Sequence, residues 1–313
     1  MNPKDYPMMS ALQSLGLPSG DSEGTADSTK RFPDGAQYRF EIPSTETPKM
    51  LKAVIEEADR YGLTIHRMSQ GSGAMLLSDE EMREMFRMGK DRGMEVNLFV
   101  GPRANYDTGG MWAAPGGKVI QLQLRGQDQF VYALEDVKRA CDLGCRSILL
   151  ADFGLIQVVG QLRAEGKLPR NLIIKTSAVM APANAATCRL LEQIGGNTLN
   201  LATDLNVNQV GAIRKVVKAP IDLYVEVPDG LGGFIRHYET PELIRVGAPL
   251  YVKFGVRNSP DIYPMGQHFE ATSIALSRER VRRCKLVHDL IQRYYPSAVM
   301  SKAGAKDLGI PEI

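Results

Sequence analysis

A lysine stands near the end of a strongly apolar stretch: Leu172, Ile173, Ile174, then Lys175, with Ser177 two residues on. An ammonium in such a place is costly unless it is paired or bound to an anion. Three readings are open for Lys175. It clamps a substrate carboxylate or phosphate as a fixed charge. It pairs with an acid, Asp152 or Glu226. Or it forms an imine with a carbonyl substrate, which requires a pKa depressed by burial or by a second cation such as Lys253. Other apolar runs end in the same way: with Glu41, His66 or Arg67, Arg103 with Asn105, Asp152, Asn200 with Asp204, Glu226, and Lys253 with Arg257. The carboxylates Glu41, Asp152 and Glu226 suit general acid–base work. With help from His66, His237 or His268 they would also suit magnesium or manganese. Zinc has no signature here, since neither HxH nor HExxH occurs.

These residues belong to a repeating order of elements. Strand-like runs alternate with helical periodicity from Tyr38 onward. The runs are YRFEIPS (38–44), LTIHRMS (63–69), EVNLFVG (95–101), SILLADFG (147–154), LIIKTSA (172–178), TLNLATD (198–204), IDLYVEVPD (221–229) and PLYVKFGVR (249–257). Gly62 stands where the first helix should stop, and Ser78 with Glu81 forms a capping box for the second. Eight strands, each followed by a helix or the place for one, predict a single closed (β/α)8 barrel, the TIM barrel. An open doubly wound sheet is disfavoured because no glycine fingerprint follows the first strand. In a barrel the strands' C-terminal ends build the active site. Several acids and bases converging there make a poor stability device, because buried pairs roughly break even against apolar packing. Strand alternation puts Lys175 and Ser177 on one face, and likewise Lys253 and Arg257.

The loops add candidates. PDGLGGFIRH (228–237) reads either as a plain tight turn or as glycines that let backbone N–H groups approach an anion, with Arg236 adding charge. The excursion 102–128, with Trp112 between glycines, is a lid candidate. Residues 1–31 are polar and Gly/Ser-rich, with no apolar core for a signal peptide. They read as a flexible arm, with the cover of a neighbouring subunit in a homo-oligomer as the alternative. The barrel occupies 32–296 and a tail 297–313.

Of the 313 residues, 43% are hydrophobic and 24% charged, and the net charge is +2. That balance makes no case for nucleic acid or a membrane surface. No apolar run reaches the roughly 20 residues of a spanning helix. The four cysteines, at 141, 145, 188 and 284, form no CxxC pair. They read as reduced thiols of a cytoplasmic protein, with no iron–sulfur cluster.

DFGLIQVV (152–159), KTSAVMAPANAATCRLLEQIGGNTLNLATDLNVNQVGAIRK (175–215) and IDLYVEVPDG (221–230) together resemble the core of the peptidase U32, or collagenase-like, family. The likeness spans roughly residues 40–257. It takes in an Asp-x-Gly run after the fourth strand, Asn184 near a helix start, and a glutamate-bearing strand at Glu226. The resemblance implies the barrel. Members that modify RNA or a quinone ring carry cluster cysteines after the seventh strand, where this chain has VPDGLGGFIRH.

The expectation is an enzyme, hydrolase or lyase, acting on a small anionic metabolite. Glu41, Asp152, Lys175 and Glu226 are the catalytic candidates. His66, Arg103, Ser177, Asn200, Arg236, Lys253 and Arg257 are the candidates for holding substrate. The alternatives are a peptidase, which needs a groove open to a chain, and a non-catalytic binding subunit, whose mouth would be filled with salt bridges.

Overall fold

A computed structural model describes residue 6 and residues 8–101 and 123–313. Eight strands pair in sequence order: β1 (Tyr38–Pro43), β2 (Arg67–Ser69), β3 (Glu95–Phe99), β4 (Ser147–Leu150), β5 (Ile173–Thr176), β6 (Thr198–Asn200), β7 (Ile221–Glu226) and β8 (Leu250–Phe254). All pairings are parallel, and β8 closes on β1. One helix, α1 (Met8–Ser14), precedes them. The strands are followed in turn by α2 (Pro48–Tyr61), α3 (Asp79–Asp91), α4 (Gly126–Asp142), α5 (Phe153–Ala164), α6 (Ala185–Gln193), α7 (Val207–Val216), α8 (Thr240–Gly247) and α9 (Glu270–Tyr294). This is the expected (β/α)8 barrel. Arg103, Asn105, Trp112 and most of the lid candidate lie outside the described residues.

The helix boundaries follow local chemistry. Thr47 caps α2 ahead of Pro48, and Gly62 ends it in the left-handed region at φ 63°. The Ser78–Glu81 capping box opens α3, and Asn206 with Gln209 forms another at α7. Alternation along the strands then creates two interiors. Outward residues such as Phe40, Ile42, Leu98, Ile148, Ile174, Leu223 and Val252 join the helices in one continuous apolar core. Inward residues are polar to an unusual degree, beginning with Arg39, Glu41, Arg67, Glu95, Lys175, Asp222 and Lys253, all buried.

Both chain ends pack on the barrel. Residues expected to form a free arm dock on α7. A Cβ on Gly24 would sit 1.8 Å from the Asn208 carbonyl oxygen, and one on Gly211 would sit 1.9 Å from that of Gly24. Only glycine permits so close a backbone approach. Lys30 Nζ donates to the carbonyls of Arg214 (2.7 Å) and Val217 (2.6 Å) at the end of α7. The tail runs beneath β1, bridging Met300 to Tyr38. Asp307 pairs with Arg39 at 2.7 Å, and Gly309 N–H donates to Glu95 at 3.3 Å. Leu308 packs with Phe32, Ala36 and Tyr251. The tail therefore closes the lower end of the barrel and keeps water from its charged interior.

Candidate active site

The barrel interior holds three acids and three bases in one network. Arg67 Nε lies 2.7 Å from Glu95, and its Nη1 lies 3.2 Å from Glu41 and 3.1 Å from Asp222. Its guanidinium stacks 3.7 Å from the centre of the Tyr251 ring. Glu41 Oε1 is the hub. It receives Lys175 Nζ, the Ser69 hydroxyl at 2.8 Å, and Lys253 Nζ at 3.5 Å. Lys175 also donates to Ser69 Oγ at 3.1 Å and stands 3.6 Å from Asp222. Burial alone would raise the Glu41 pKa, but Lys175, Lys253 and Arg67 outweigh it and hold the carboxyl well below the usual range. Burial lowers the Lys175 ammonium to about 8, helped by the neighbouring cations Lys253 and Arg67 and opposed by Glu41 and Asp222.

Above this network opens a cavity of about 300 Å³. Ser69, Ser177, Asn200, Tyr224 and Lys253 line it, with Arg280 from α9 and Tyr263 from the loop after β8. With its amide turned so that Oδ1 meets the surrounding donors, Asn200 accepts from Lys253 Nζ at 2.9 Å and from Ala178 N–H at 3.2 Å. Lys253 also sits 4.2 Å from the centre of the Tyr224 ring. Among the described residues, three that are not glycine adopt positive φ: Ser44 (56°), Ala181 (47°) and Asn258 (58°). All three lie in loops that follow strand C-terminal ends, where strained backbone is characteristic of a working site.

Of the residues expected at the site, Ser177, Asn200 and Lys253 line the cavity, with Glu41 and Lys175 directly beneath. Lys175 is paired, but with Glu41 and Asp222 rather than with Asp152 or Glu226. The others stand elsewhere. Asp152 caps α5, accepting the Leu155 N–H at 2.9 Å. Glu226 shares inward parity with Asp222 and Tyr224, yet a register shift between Tyr224 and Glu226 turns it out of the barrel. It accepts the Arg257 N–H at 3.0 Å and lies 3.1 Å from His237 Nε2 and 3.6 Å from Arg283 Nε, neither of which is a hydrogen bond. The expected meeting of Glu226 and Asp152 across the barrel centre therefore does not occur. Arg236 ties the β7 loop to the carbonyls of Thr203 (3.2 Å) and Leu205 (2.7 Å). Arg257 lies beyond the end of β8, half exposed, 3.6 Å from Asp229. It does not share a face with Lys253.

His66 precedes β2 and is buried. Its Nδ1 accepts the Phe40 N–H at 3.1 Å, and its Nε2 donates to the Ser301 carbonyl at 2.8 Å. It fastens the tail, and Arg67 is the neighbour that points inward. The glycine loop after β7 is the plain turn. Leu231, Gly232 and Gly233 direct their N–H groups to Pro228 and Asp229 carbonyls, so these donors are not free for an anion. The divalent-cation alternative does not fit either. Glu41, Asp152 and Glu226 occupy three separate places, and among the described residues no three His, Cys, Asp or Glu side chains converge as ligands. Residues the sequence reading missed are Glu95 and Asp222, which lie low on their strands, and Tyr224, Tyr263 and Arg280.

No family model matches the sequence, and no curated protein matches it. Solved structures do. A phospho-2-dehydro-3-deoxyheptonate aldolase (DAHP synthase) from Thermotoga maritima is 12% identical, with a TM-score of 0.50, over 88% of this chain and 76% of that one. The U32 peptidase Mk0906 is 17% identical, with a TM-score of 0.42, over 64% of this chain and 73% of that one. At such identities the likeness establishes the barrel fold and nothing finer. Among the described residues no helix is long and apolar enough to cross a membrane.

Two outcomes follow from the network. Lys175→Met should lower the unfolding free energy by about 3 kcal/mol, because it removes one partner of a fully buried pair. Urea denaturation measures this, and unchanged stability would contradict the pairing. His66 supplies a pH signature. Burial holds its pKa down to about 4, from an ordinary 6.5. Between those values the unfolded chain binds a proton that the folded chain does not. The His66 contribution is therefore complete above pH 6.5 and lost as pH falls towards 4, roughly 3 kcal/mol in all. His66→Gln should flatten the stability–pH profile across that interval, and equal slopes in both proteins would refute the assignment.

Proposed function

We propose that this chain is a barrel enzyme of lyase type acting on a small anionic substrate in the mouth cavity. The observation that carries the reading is Lys253: a cation on the cavity floor, fixed by Glu41, Asn200 and the Tyr224 face. A fixed charge of this kind stabilises negative charge developing on a substrate oxygen, as when a bond next to a carbonyl breaks and leaves an enolate. Glu41 is held ionised and keeps Lys253 in position, while Lys175 holds Glu41 from below.

Hydrolysis finds less support. It calls for a base beside an attacking water, and the carboxylates that line the cavity, Asp229 and Asp261, stand on its rim loops and not on its floor. A peptidase is supported less again. Loops 228–231 and 259–263 close over a space of about 300 Å³, the small end of ligand pockets and no groove for a chain. A purely structural mouth would be filled by its own ion pairs, whereas here the pairs lie beneath an open cavity. A divergent relationship to the U32 proteins rests on the sequence runs at 152–159, 175–215 and 221–230.

The test uses proton exchange. Small 2-oxo carboxylates, pyruvate first, are incubated with the protein in D2O, and loss of the proton signal next to the carbonyl is followed by NMR. Solvent water takes the α-proton as the C–H bond breaks and D2O returns a deuteron to the enolate, so the wild-type chain, with Lys253 stabilising that enolate, should accelerate exchange, and Lys253→Met should reduce the rate by about a hundredfold or more with the fold retained. Exchange unaffected by Lys253→Met would remove Lys253 from the chemistry. No acceleration across the panel would remove the lyase reading.

A further inference from the structure

Among the described residues the mouth contains one deeply buried arginine with no carboxylate in ion-pairing distance. Arg280, on α9, is 4% exposed and lines the cavity. Its Nη1 donates to the Ser44 carbonyl at 3.2 Å. Its Nε is buried and has no hydrogen-bond partner. Among the described residues no carboxylate stands within ion-pairing distance of it. Burial accordingly disfavours its charged form. A guanidinium in the wall of a cavity, with donors that no protein group uses, suits a planar anion that accepts two parallel hydrogen bonds.

The surroundings hold Arg280 in place without satisfying it. Ser44 adopts φ 56°, a conformation that costs a non-glycine residue, and its carbonyl is the one Arg280 reaches. The Ser44 hydroxyl bonds the Tyr263 hydroxyl. The nearby acids serve other groups. Glu46 accepts the N–H groups of Gly71 (2.9 Å) and Ser72 (2.7 Å), and Asp261 accepts that of Tyr263 at 3.1 Å. Below, the charges of Glu41, Glu95 and Asp222 balance those of Arg67, Lys175 and Lys253. Among the described residues Arg280 is thus the cavity-lining cation with no carboxylate in ion-pairing distance, and the buried Glu46 acts on it only from farther off.

We propose that Arg280 is the carboxylate-binding residue of the mouth, and that its ligands are small monocarboxylates whose second oxygen function faces Lys253 and Asn200. With Asp229 and Asp261 on the rim, a carboxylate monoanion suits this wall better than a phosphate dianion. The glycine loop after β7, whose free N–H groups would have favoured phosphate, has those groups engaged in its own turn. This assignment rests on the mouth being a ligand site, as proposed above, but not on the lyase chemistry.

The experiment is titration calorimetry of the full chain with pyruvate and, separately, with inorganic phosphate. It is run on wild type, Arg280→Lys, Arg280→Gln and Lys253→Met, each checked for folding by circular dichroism. Pyruvate should bind wild type more tightly than phosphate does. Arg280→Gln should weaken it by about tenfold or more, and Arg280→Lys, which keeps the charge but not the fork, by less. Should Arg280→Gln fail to fold, Arg280→Lys still decides, since a merely structural cation would leave pyruvate affinity at the wild-type value. Lys253→Met should lose proton exchange and weaken pyruvate binding by less than Arg280→Gln does. Binding that depends on Arg280 without any exchange would defeat the chemistry and sustain the site. Pyruvate binding unchanged in Arg280→Gln, tighter binding of phosphate, or no pyruvate binding to wild type would overturn the proposal.

Discussion

Glu41 is the point on which the barrel interior turns. Its carboxylate lies entirely out of water and is shared by Lys175, Lys253, Arg67 and the Ser69 hydroxyl. Such a network gives little net stability over apolar packing of the same volume, since the desolvation of each charge offsets most of the attraction. What it gives is position. Glu41, Arg67, Lys175 and Asp222 are each held by at least two other members, and Lys253, held by Glu41, is the member whose other side faces the cavity. The fold around it meets the consequence of burying six charges: both ends of the barrel must be closed to water. The tail does this below, through Asp307 on Arg39 and the Gly309 N–H on Glu95. The loops after β1, β2 and β8 do it above.

Those upper loops are built against one another. Tyr263 packs on Gly71 so closely that a Cβ there would fall 2.7 Å from the ring, and its hydroxyl meets that of Ser44. Met265 N–H donates to Ser72 Oγ at 2.9 Å. The result is a roof over a small polar space with Lys253 in its floor and Arg280 in its wall. Because the floor network is neutral and Arg280 has no carboxylate in ion-pairing distance among the described residues, an anion entering the cavity is drawn to one place.

Much of the fold was legible in the sequence because alternation and capping are local. YRFEIP, EVNLF and IDLYVE each alternate apolar with polar residues, and Gly62, Ser78 and Glu81 mark helix ends by their own backbone chemistry. Lys175, Glu41, Lys253, Ser177 and Asn200 were found by reading inward positions near strand ends. Parity failed where geometry beyond the residue intervened. The register shift after Tyr224 reversed the direction of Glu226, and Asp152 served the first turn of α5. Attention to strand ends also hid Glu95 and Asp222, which open their strands and complete the charge balance. Arg280 carries no signal in SRERVRRCK, where five residues are basic. Only the burial of one face of α9 singles it out.

The central claim is that a neutral floor and one wall cation without an ion-pair partner among the described residues define how a ligand lies in the mouth. The most direct measurement is a crystal structure of the protein soaked with pyruvate. The account predicts the carboxylate on the guanidinium of Arg280, the keto oxygen towards Lys253 Nζ, and the Glu41 contacts to Lys175 and Lys253 unchanged. A carboxylate bound to Lys175 or Lys253 with Arg280 left untouched, or a floor network that opens to admit the ligand, would contradict it.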